Sequence, residues 1–296
     1  MSSDLREGTG VELEPKKPSA QILKHEIQEG RIAIRRPIGG LFLSGLSAGL
    51  DIGFSLFLIA VTKTQIEGMM PRPVVALLLA NMYAVGFIFV VLGRSELFTE
   101  QTTLAVLPVL NRQASMLELV RTWAVVYVAN LIGAAVFAEL AVLIGPSLGV
   151  INPPVFGGIA SSLTAHPGIV IVLSGLLAGW LMGLLSWLVA ASRDTISQIV
   201  LTWLIASVIG YTHLHHVVVG SVEVLAGVFA AQEVSAGDYL HFLCWTTLGN
   251  ALGGPIFVAI IKYSHAIGTV PTPEREEQNI YKRLNSGDSV QTSRGF

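Results

Sequence analysis

Six stretches of predominantly apolar residues dominate the chain, and each is long enough to cross a lipid bilayer. They cover about residues 39–62, 74–110, 118–144, 168–191, 197–230 and 240–263. Because a membrane-spanning helix needs roughly 20 apolar residues, the pattern predicts six spans. The second and fifth stretches are too long for one helix and carry polar residues midway. Each of these two therefore predicts a pair of half-helices joined by irregular backbone.

The two predicted breaks place polar groups where a bilayer is driest. The first is GRSELFTEQTT at 93–103, and the second lies in Gly210–Gly227. The second contains three histidines, His213, His215 and His216. A polar group at that depth costs several kcal/mol unless it is satisfied, and irregular backbone there is tolerated only inside protein or along a cavity. We therefore expect Thr99 and His216 to face one another across a pore; an aqueous loop at 93–103 is the alternative.

Two motifs recur along the chain. LSGLSAG at 43–49 returns as LSGLLAG at 173–179, and ANLIGA at 129–134 returns as GNALGG at 249–254. The repeat predicts two halves of three spans each. Because three is odd, the halves must have opposite orientations, and inverted repeats with one broken helix each point to a substrate path between them. Small residues in these helices allow close approach: Gly45, Ala48, Gly49, Gly133, Gly175, Gly179 and Gly253.

Composition is that of an integral membrane protein. The 296 residues are 52% hydrophobic and 13% charged, whereas soluble domains carry about 25% charged residues. A net charge of −2 argues against a nucleic-acid partner. The single cysteine, Cys244, excludes an intramolecular disulfide and a Cys-based zinc site, and its apolar neighbours predict that it is buried. The first 36 residues lack a signal-peptide pattern.

Polar tails flank the apolar body. We expect a cytoplasmic N-terminal tail at 1–36, a channel domain at 37–265 and a disordered cytoplasmic tail at 266–296. Ser19 is predicted to cap a short amphipathic helix that stops at Gly30. Its apolar face would rest on the membrane or on the helical body, with a solvated helix as the alternative. Lys and Arg concentrate in the tails and near 111–121 and 192–193, so both termini should be cytoplasmic.

The motifs together resemble the formate/nitrite transporters over about residues 20–265. GRSELFT at 93–99 is similar to that family's loop in the second helix. NLIGA at 130–134 and GNALGG at 249–254 resemble its third- and sixth-helix motifs. Between Gly175 and His216 the chain follows the family pattern without a gap, which puts Trp187, Arg193 and His216 on family positions.

This resemblance implies an aquaporin-like, all-α fold assembled as a homopentamer in a bacterial inner membrane, with one pore per protomer. It implies passage of small monovalent weak-acid anions such as formate or nitrite. Thr99 and His216 would pair at the pore centre. The apolar constrictions would fall at Tyr83, Phe87, Phe98, Met182 and Ile209.

The chain also departs from the family pattern. His215 stands where the family has an acid, Gly220 where it has an asparagine, and Leu163 where it has a vestibule lysine. Asp51 and Glu223 are additional acids within the apolar body, and we expect Asp51 to face the protein interior. The secondary candidates for the pore are therefore His213, His215, Gly220, Asp51 and Glu223.

Three other functions are weighed against anion transport. A channel for ammonia or water stays open, although the Asn-Pro-Ala signature expected for water is absent. An intramembrane enzyme is not expected, because neither a Gly-x-Ser-x-Gly elbow nor a His-Glu-x-x-His helix is present. A metal site is disfavoured because the adjacent His215 and His216 cannot share one helix face. We expect no cofactor, and His216 could lend or relay a proton because histidine titrates near pH 6.5.

Overall fold

Helices, most of them apolar, form the greater part of what the computed structural model describes, which is residues 16–264. The helices are α1 (Ser19–Arg35), α2 (Ile38–Asp51), α3 (Gly53–Ile66), α4 (Arg72–Gly93), α5 (Phe98–Leu104), α6 (Val106–Leu110), α7 (Met116–Ser147), α8 (Pro154–Thr164), α9 (Gly168–Ala191), α10 (Thr195–Tyr211), α11 (Val217–Phe229) and α12 (Ala236–Gly254). A π-helical segment, Pro255–Lys262, continues α12. The predicted tail at 266–296 lies outside the described residues.

Four helical stretches among the described residues are long and apolar enough to cross a membrane. They are α2 with α3, which bend at Ile52, and α4, α7 and α9. The shorter α10 and α11 are also apolar. The prediction of an all-α protein with several membrane-spanning helices is therefore confirmed.

Local sequence signals fix where these helices begin. Proline precedes α4 and α9, where its fixed φ suits an entering chain. Ser115 and Glu118 form a capping box at the start of α7, and Ser235 and Asp238 form another at the start of α12. These caps satisfy backbone N–H groups in the first turns of α7 and α12, so both helices begin at defined residues.

The two breaks in the chain have the same backbone conformation. Arg94, after α4, and His213, after α10, both have positive φ, 54° and 51°. In the first break the N–H of Ser95 donates to the carbonyl of Val90, and 119 positions later the N–H of Leu214 donates to the carbonyl of Ile209. A non-glycine residue in the left-handed region is uncommon. Its occurrence at matching positions of both breaks indicates a duplicated local structure.

A buried asparagine holds each break in place. Asn130 on α7 donates to the carbonyls of Gly45 and Glu96, and it accepts from the N–H of Phe98, at 2.7–2.9 Å. Asn250 on α12 makes the corresponding three bonds, to Gly175, His215 and Val217, at 2.8–2.9 Å. Backbone groups that the broken helices leave unpaired are thereby satisfied, as a low-dielectric interior requires.

Glycines bring the paired helices into backbone contact around these asparagines. A Cβ on Gly49 of α2 would lie 2.3 Å from the carbonyl oxygen of Asn130. A Cβ on Gly179 of α9 would lie 2.6 Å from the carbonyl oxygen of Asn250. Both positions therefore exclude any side chain, which explains the small residues of the repeated motifs.

The N-terminal helix corrects one prediction. Helix α1 does not stop at Gly30 but runs to Arg35, and Ser19 is its first helical residue, not its cap. Gly30 is needed for packing: a Cβ there would lie 2.1 Å from the carbonyl oxygen of Leu104. The apolar face of α1 packs on the helical body, where Ile22 and Leu23 join a buried cluster with Leu107, Trp187 and Ala190.

A second correction concerns the single cysteine. Cys244 is exposed on α12, so the predicted burial is wrong. Apolar neighbours in sequence do not imply burial within one protomer when the outer surface of a helix is itself apolar.

Candidate functional site

The two breaks meet at a hydrogen bond between Thr99 and His216. The Thr99 Oγ1 and His216 Nε2 atoms lie 2.8 Å apart, and both side chains are at most 1% exposed. The other ring nitrogen, Nδ1, accepts the N–H of Val219 at 3.4 Å, so His216 caps α11 with its own side chain. This network assigns the ring proton to Nε2, which donates to Thr99. The Thr99 hydroxyl hydrogen is then available to a third group.

Aromatic side chains of α4 pack beside this hydrogen bond. The Phe87 ring meets the His216 ring edge to face, with centroids 5.1 Å apart. Tyr83 lies one turn away, with its ring centroid 5.3 Å from that of Phe87. The imidazole is therefore surrounded by apolar surface on that side.

Two cavities lie on either side of the Thr99–His216 pair. The Glu223 cavity has a volume of about 140 Å³, and its lining includes Lys63, Tyr83, Leu163, Ile209, His213 and Glu223. The Glu100 cavity has a volume of about 280 Å³, and its lining includes Glu26, Arg36, Val90, Glu96, Glu100, Gln101 and Ser186. Neither cavity has His216 in its wall.

Helix α4 gives the order of these features along one axis. Tyr83 lines the Glu223 cavity, and Val90 lines the Glu100 cavity. Phe87, which contacts His216, lies between them on the same face of the helix. With a rise of 1.5 Å per residue, Tyr83 and Val90 are about 10 Å apart. A short, closed, apolar barrier containing His216 therefore separates the two cavities.

The other predicted constriction residues are all buried. Met182 is 2% exposed and Ile209, in the wall of the Glu223 cavity, is fully buried. Phe98 is turned towards α7, where it packs on Tyr127 with centroids 4.8 Å apart. Their roles in a pore stay predictions.

Residues 98–104 are helical and buried apart from Glu100, which excludes the alternative of an aqueous loop there.

Two of the secondary candidates have structural roles. His215 is saturated: its Nδ1 lies 2.8 Å from Ser174 Oγ, and its Nε2 lies 3.0 Å from the Leu163 carbonyl oxygen. Gly220 makes room for the Phe242 ring, since a Cβ there would lie 2.3 Å from its nearest atom. The structure therefore does not bring His215 into the pore beside His216.

The remaining candidates differ in position. His213 is exposed and Glu223 is buried, and both line the same cavity. Asp51 lies at the bend between α2 and α3, half-buried, and accepts a hydrogen bond from Ser47 Oγ at 3.1 Å. Ser47 in turn accepts from Ser95 in the first break. Asp51 thus supports the break from outside the two cavities.

Several cavity residues are not marked by the sequence pattern. Lys63 reaches the Glu223 cavity from the end of α3, and Glu100 and Gln101 line the other chamber. Glu96 lies in the first break and Glu100 in the first turn of α5, so no helical spacing in the sequence brings the two together. The contribution of α1 has no such signal either. Its Glu26 accepts a 2.7 Å hydrogen bond from Ser186, and burial raises the pKa of Glu26 to about 7.

Comparison with known proteins supplies the family. Residues 20–264 match the family model described as Formate/nitrite transporter. The chain belongs to the formate/nitrite transporter family. The inner membrane protein YfdC of Escherichia coli (strain K12) is 32% identical over 90% of this chain and 84% of its own length. The nitrite transporter NirC of Salmonella typhimurium is 26% identical over 78% of this chain and 84% of its own length.

Solved structures of the same family share the fold. An FNT family ion channel superposes with a TM-score of 0.71 at 20% identity, covering 83% of this chain and 98% of the other. A pentameric formate channel with formate bound gives a TM-score of 0.66 at 22% identity, covering 78% and 98%. As a member of a transporter family with apolar helices long enough to cross a membrane, the chain is a membrane transport protein.

Proposed function

We propose that the chain forms a pore for small monovalent weak-acid anions such as formate or nitrite. The observation that carries the proposal is the buried Thr99–His216 hydrogen bond between the two cavities. The names of the relatives support the substrate class, since they include a nitrite transporter and a probable formate transporter from Methanothermobacter thermautotrophicus. In this proposal Phe87 and Ile209 form the apolar barrier.

The barrier explains why a proton would accompany the anion. Moving a bare anion into an apolar constriction removes its hydration, at a cost of many kcal/mol. The neutral acid avoids most of that cost. In the proposed passage the substrate crosses as the neutral acid and hydrogen-bonds the Thr99 hydroxyl on the way. His216 holds the hydroxyl in place and exchanges a proton with the substrate.

The proposed architecture is a homopentamer of six-span protomers in a bacterial inner membrane. Each protomer would contain two inverted three-helix repeats, with α4–α5 and α10–α11 as the broken helices. The matching breaks and the two equivalent asparagines support the repeat. A pentameric relative supports the assembly, which native mass spectrometry of the purified protein would test by the number of copies.

Flux measurements test the proposed function directly. Purified protein in liposomes should take up radiolabelled formate or nitrite faster at pH 5.5 than at pH 7.5, because more of the substrate can cross as neutral acid. Protein-free liposomes at each pH give the background. Equal rates with and without protein for both anions would reject weak-acid transport. Shrinkage assays with ammonia would then test the neutral-molecule alternative.

Orientation is the next prediction. We predict that the Glu223 cavity faces the periplasm and that both termini are cytoplasmic, because positively charged loops stay inside. In a chain whose Cys244 is replaced by Ala, an impermeant thiol reagent added to intact cells should label Ser147→Cys, which is exposed at the end of α7. Ser286→Cys, in the C-terminal tail, should react only after the cells are opened. The reverse pattern would overturn this orientation.

A further inference from the structure

Glu223 is a buried carboxyl group without a partner in the described part of the chain. It lies on α11 in the wall of the Glu223 cavity, and its side chain is 7% exposed. Among the described residues, no hydrogen bond or ion pair holds its carboxyl group. A carboxylate in an apolar wall needs a counter-charge, and a proton or a charged ligand in the cavity would supply it.

The groups around Glu223 make the cavity an entry chamber for an anion. Lys63 lines it from α3 and also lies 3.8 Å from the exposed Glu67, so its ammonium group is held at the mouth. His213 and Ser162 are exposed members of the lining, which opens the chamber to water. On α4, Tyr83 separates this chamber from Phe87.

His216 cannot meet a substrate in this chamber. It is 1% exposed, lies outside the lining, and both ring nitrogens are hydrogen-bonded. Glu223 lies seven residues further along α11, about 10 Å along the helix axis. An anion entering here therefore reaches Glu223 before it reaches the barrier, whereas His216 acts only on a substrate already inside the barrier.

We propose that Glu223 is the proton donor that neutralises the substrate in this chamber before the barrier. This inference rests on the proposed function. In the step, the O–H bond of the Glu223 carboxyl group breaks and an O–H bond forms on the substrate anion. Glu223 is left as the carboxylate in the cavity that Lys63 also lines, and water entering at the His213 end returns its proton from solution. The nearby titratable or charged groups facing the chamber are Lys63, Tyr83 and His213. On the opposite face of α11, Tyr239 hydrogen-bonds Ser221.

The proposal predicts a loss that depends on pH. With radiolabelled formate in liposomes, Glu223→Gln should lower uptake about tenfold at pH 7.5. At pH 5.5 uptake should stay within about twofold of wild type, because solution already supplies more neutral acid. The pH dependence therefore becomes steeper. Glu223→Asp should restore most of the uptake at pH 7.5, since it keeps a carboxyl group.

Matched controls separate the possible results. Glu139→Gln removes an exposed carboxylate of α7 that lines neither cavity, and it should behave as wild type at both pH values. Equal losses at both pH values for Glu223→Gln, or no loss at either, would overturn the donor role. If Glu223→Gln does not fold, the Glu223→Asp variant serves in its place. Uptake by Glu223→Asp that equals wild type at pH 5.5 but is tenfold slower at pH 7.5 would also overturn the donor role. A wild-type protein that carries no formate or nitrite would instead reject the proposed function itself.

Discussion

Replacing His216 with Asn is expected to lower uptake of formate or nitrite by at least about tenfold and to flatten its pH dependence, because the substrate can no longer exchange a proton inside the barrier. Asn can still hydrogen-bond Thr99 and cap α11, as Asn is a favoured cap residue, so the fold should survive. The substitution removes the only titratable ring in the barrier among the described residues. Uptake by the purified variant in liposomes at pH 5.5 and 7.5 measures the effect.

His213→Asn is the matched control for this variant. His213 lies three residues earlier, is exposed and has a φ of 51°, a conformation that Asn tolerates well. Its effect should be smaller, and the pH dependence should persist. Wild-type flux with unchanged pH dependence in His216→Asn would contradict the proposed role. The expected change is opposite in sign to that of Glu223→Gln, since one flattens the pH profile and the other steepens it.

Replacing either buried asparagine with Leu should destabilise the protein strongly and by similar amounts. Asn130→Leu leaves the Glu96 carbonyl and the Phe98 N–H without this partner, whereas the Gly45 carbonyl keeps its bond within α2. Each unpaired group costs about 1–3 kcal/mol when buried, so the apparent melting temperature in detergent should fall by roughly 10 °C or more. Asn250→Leu should do the same, because it loses three equivalent bonds.

Asn81→Leu is the control for the asparagine pair. Asn81 accepts one 2.8 Å hydrogen bond from Trp203 near the surface of α4, so its loss should cost about 1 kcal/mol. A large shift for only one of Asn130 and Asn250 would show that the two breaks are not equivalent. Melting temperatures close to wild type for both would show that the breaks do not depend on these side chains.

Much of the fold could be predicted because membrane helices leave strong signals. Apolar length predicted the long helices, and the polar groups at 93–103 and 213–216 marked regions that the structure shows to be helix breaks. The repeated motifs mark the helices that approach through Gly49 and Gly179. The end of α1 could not be predicted from Gly30, because a glycine that ends a helix and one that admits a neighbouring backbone look alike in sequence.

The site was less accessible from sequence. Thr99 and His216 could be paired by the repeat and the family pattern, and the structure places them in contact. Lys63 could not be assigned to a chamber, because its position depends on how α3 packs beside α11. His215 looked equivalent to its neighbour, yet its ring turns towards Ser174 and Leu163. Adjacent residues at a break point in different directions, and sequence alone does not say which enters the pore.

Two hydrogen-bonding hubs, Asn130 and Asn250, each hold one half of the protomer. Asn130 bonds only to groups of the first half of the chain, and Asn250 only to groups of the second. A small shift of one half against the other would therefore stretch the Thr99–His216 bond and leave both hubs intact. Such a shift would not require any bond of either hub to break, whereas unravelling a break would cost several hydrogen bonds of about 1 kcal/mol each. Each half can thus stay rigid around its break, while the contact between the halves, where a substrate must pass, can move.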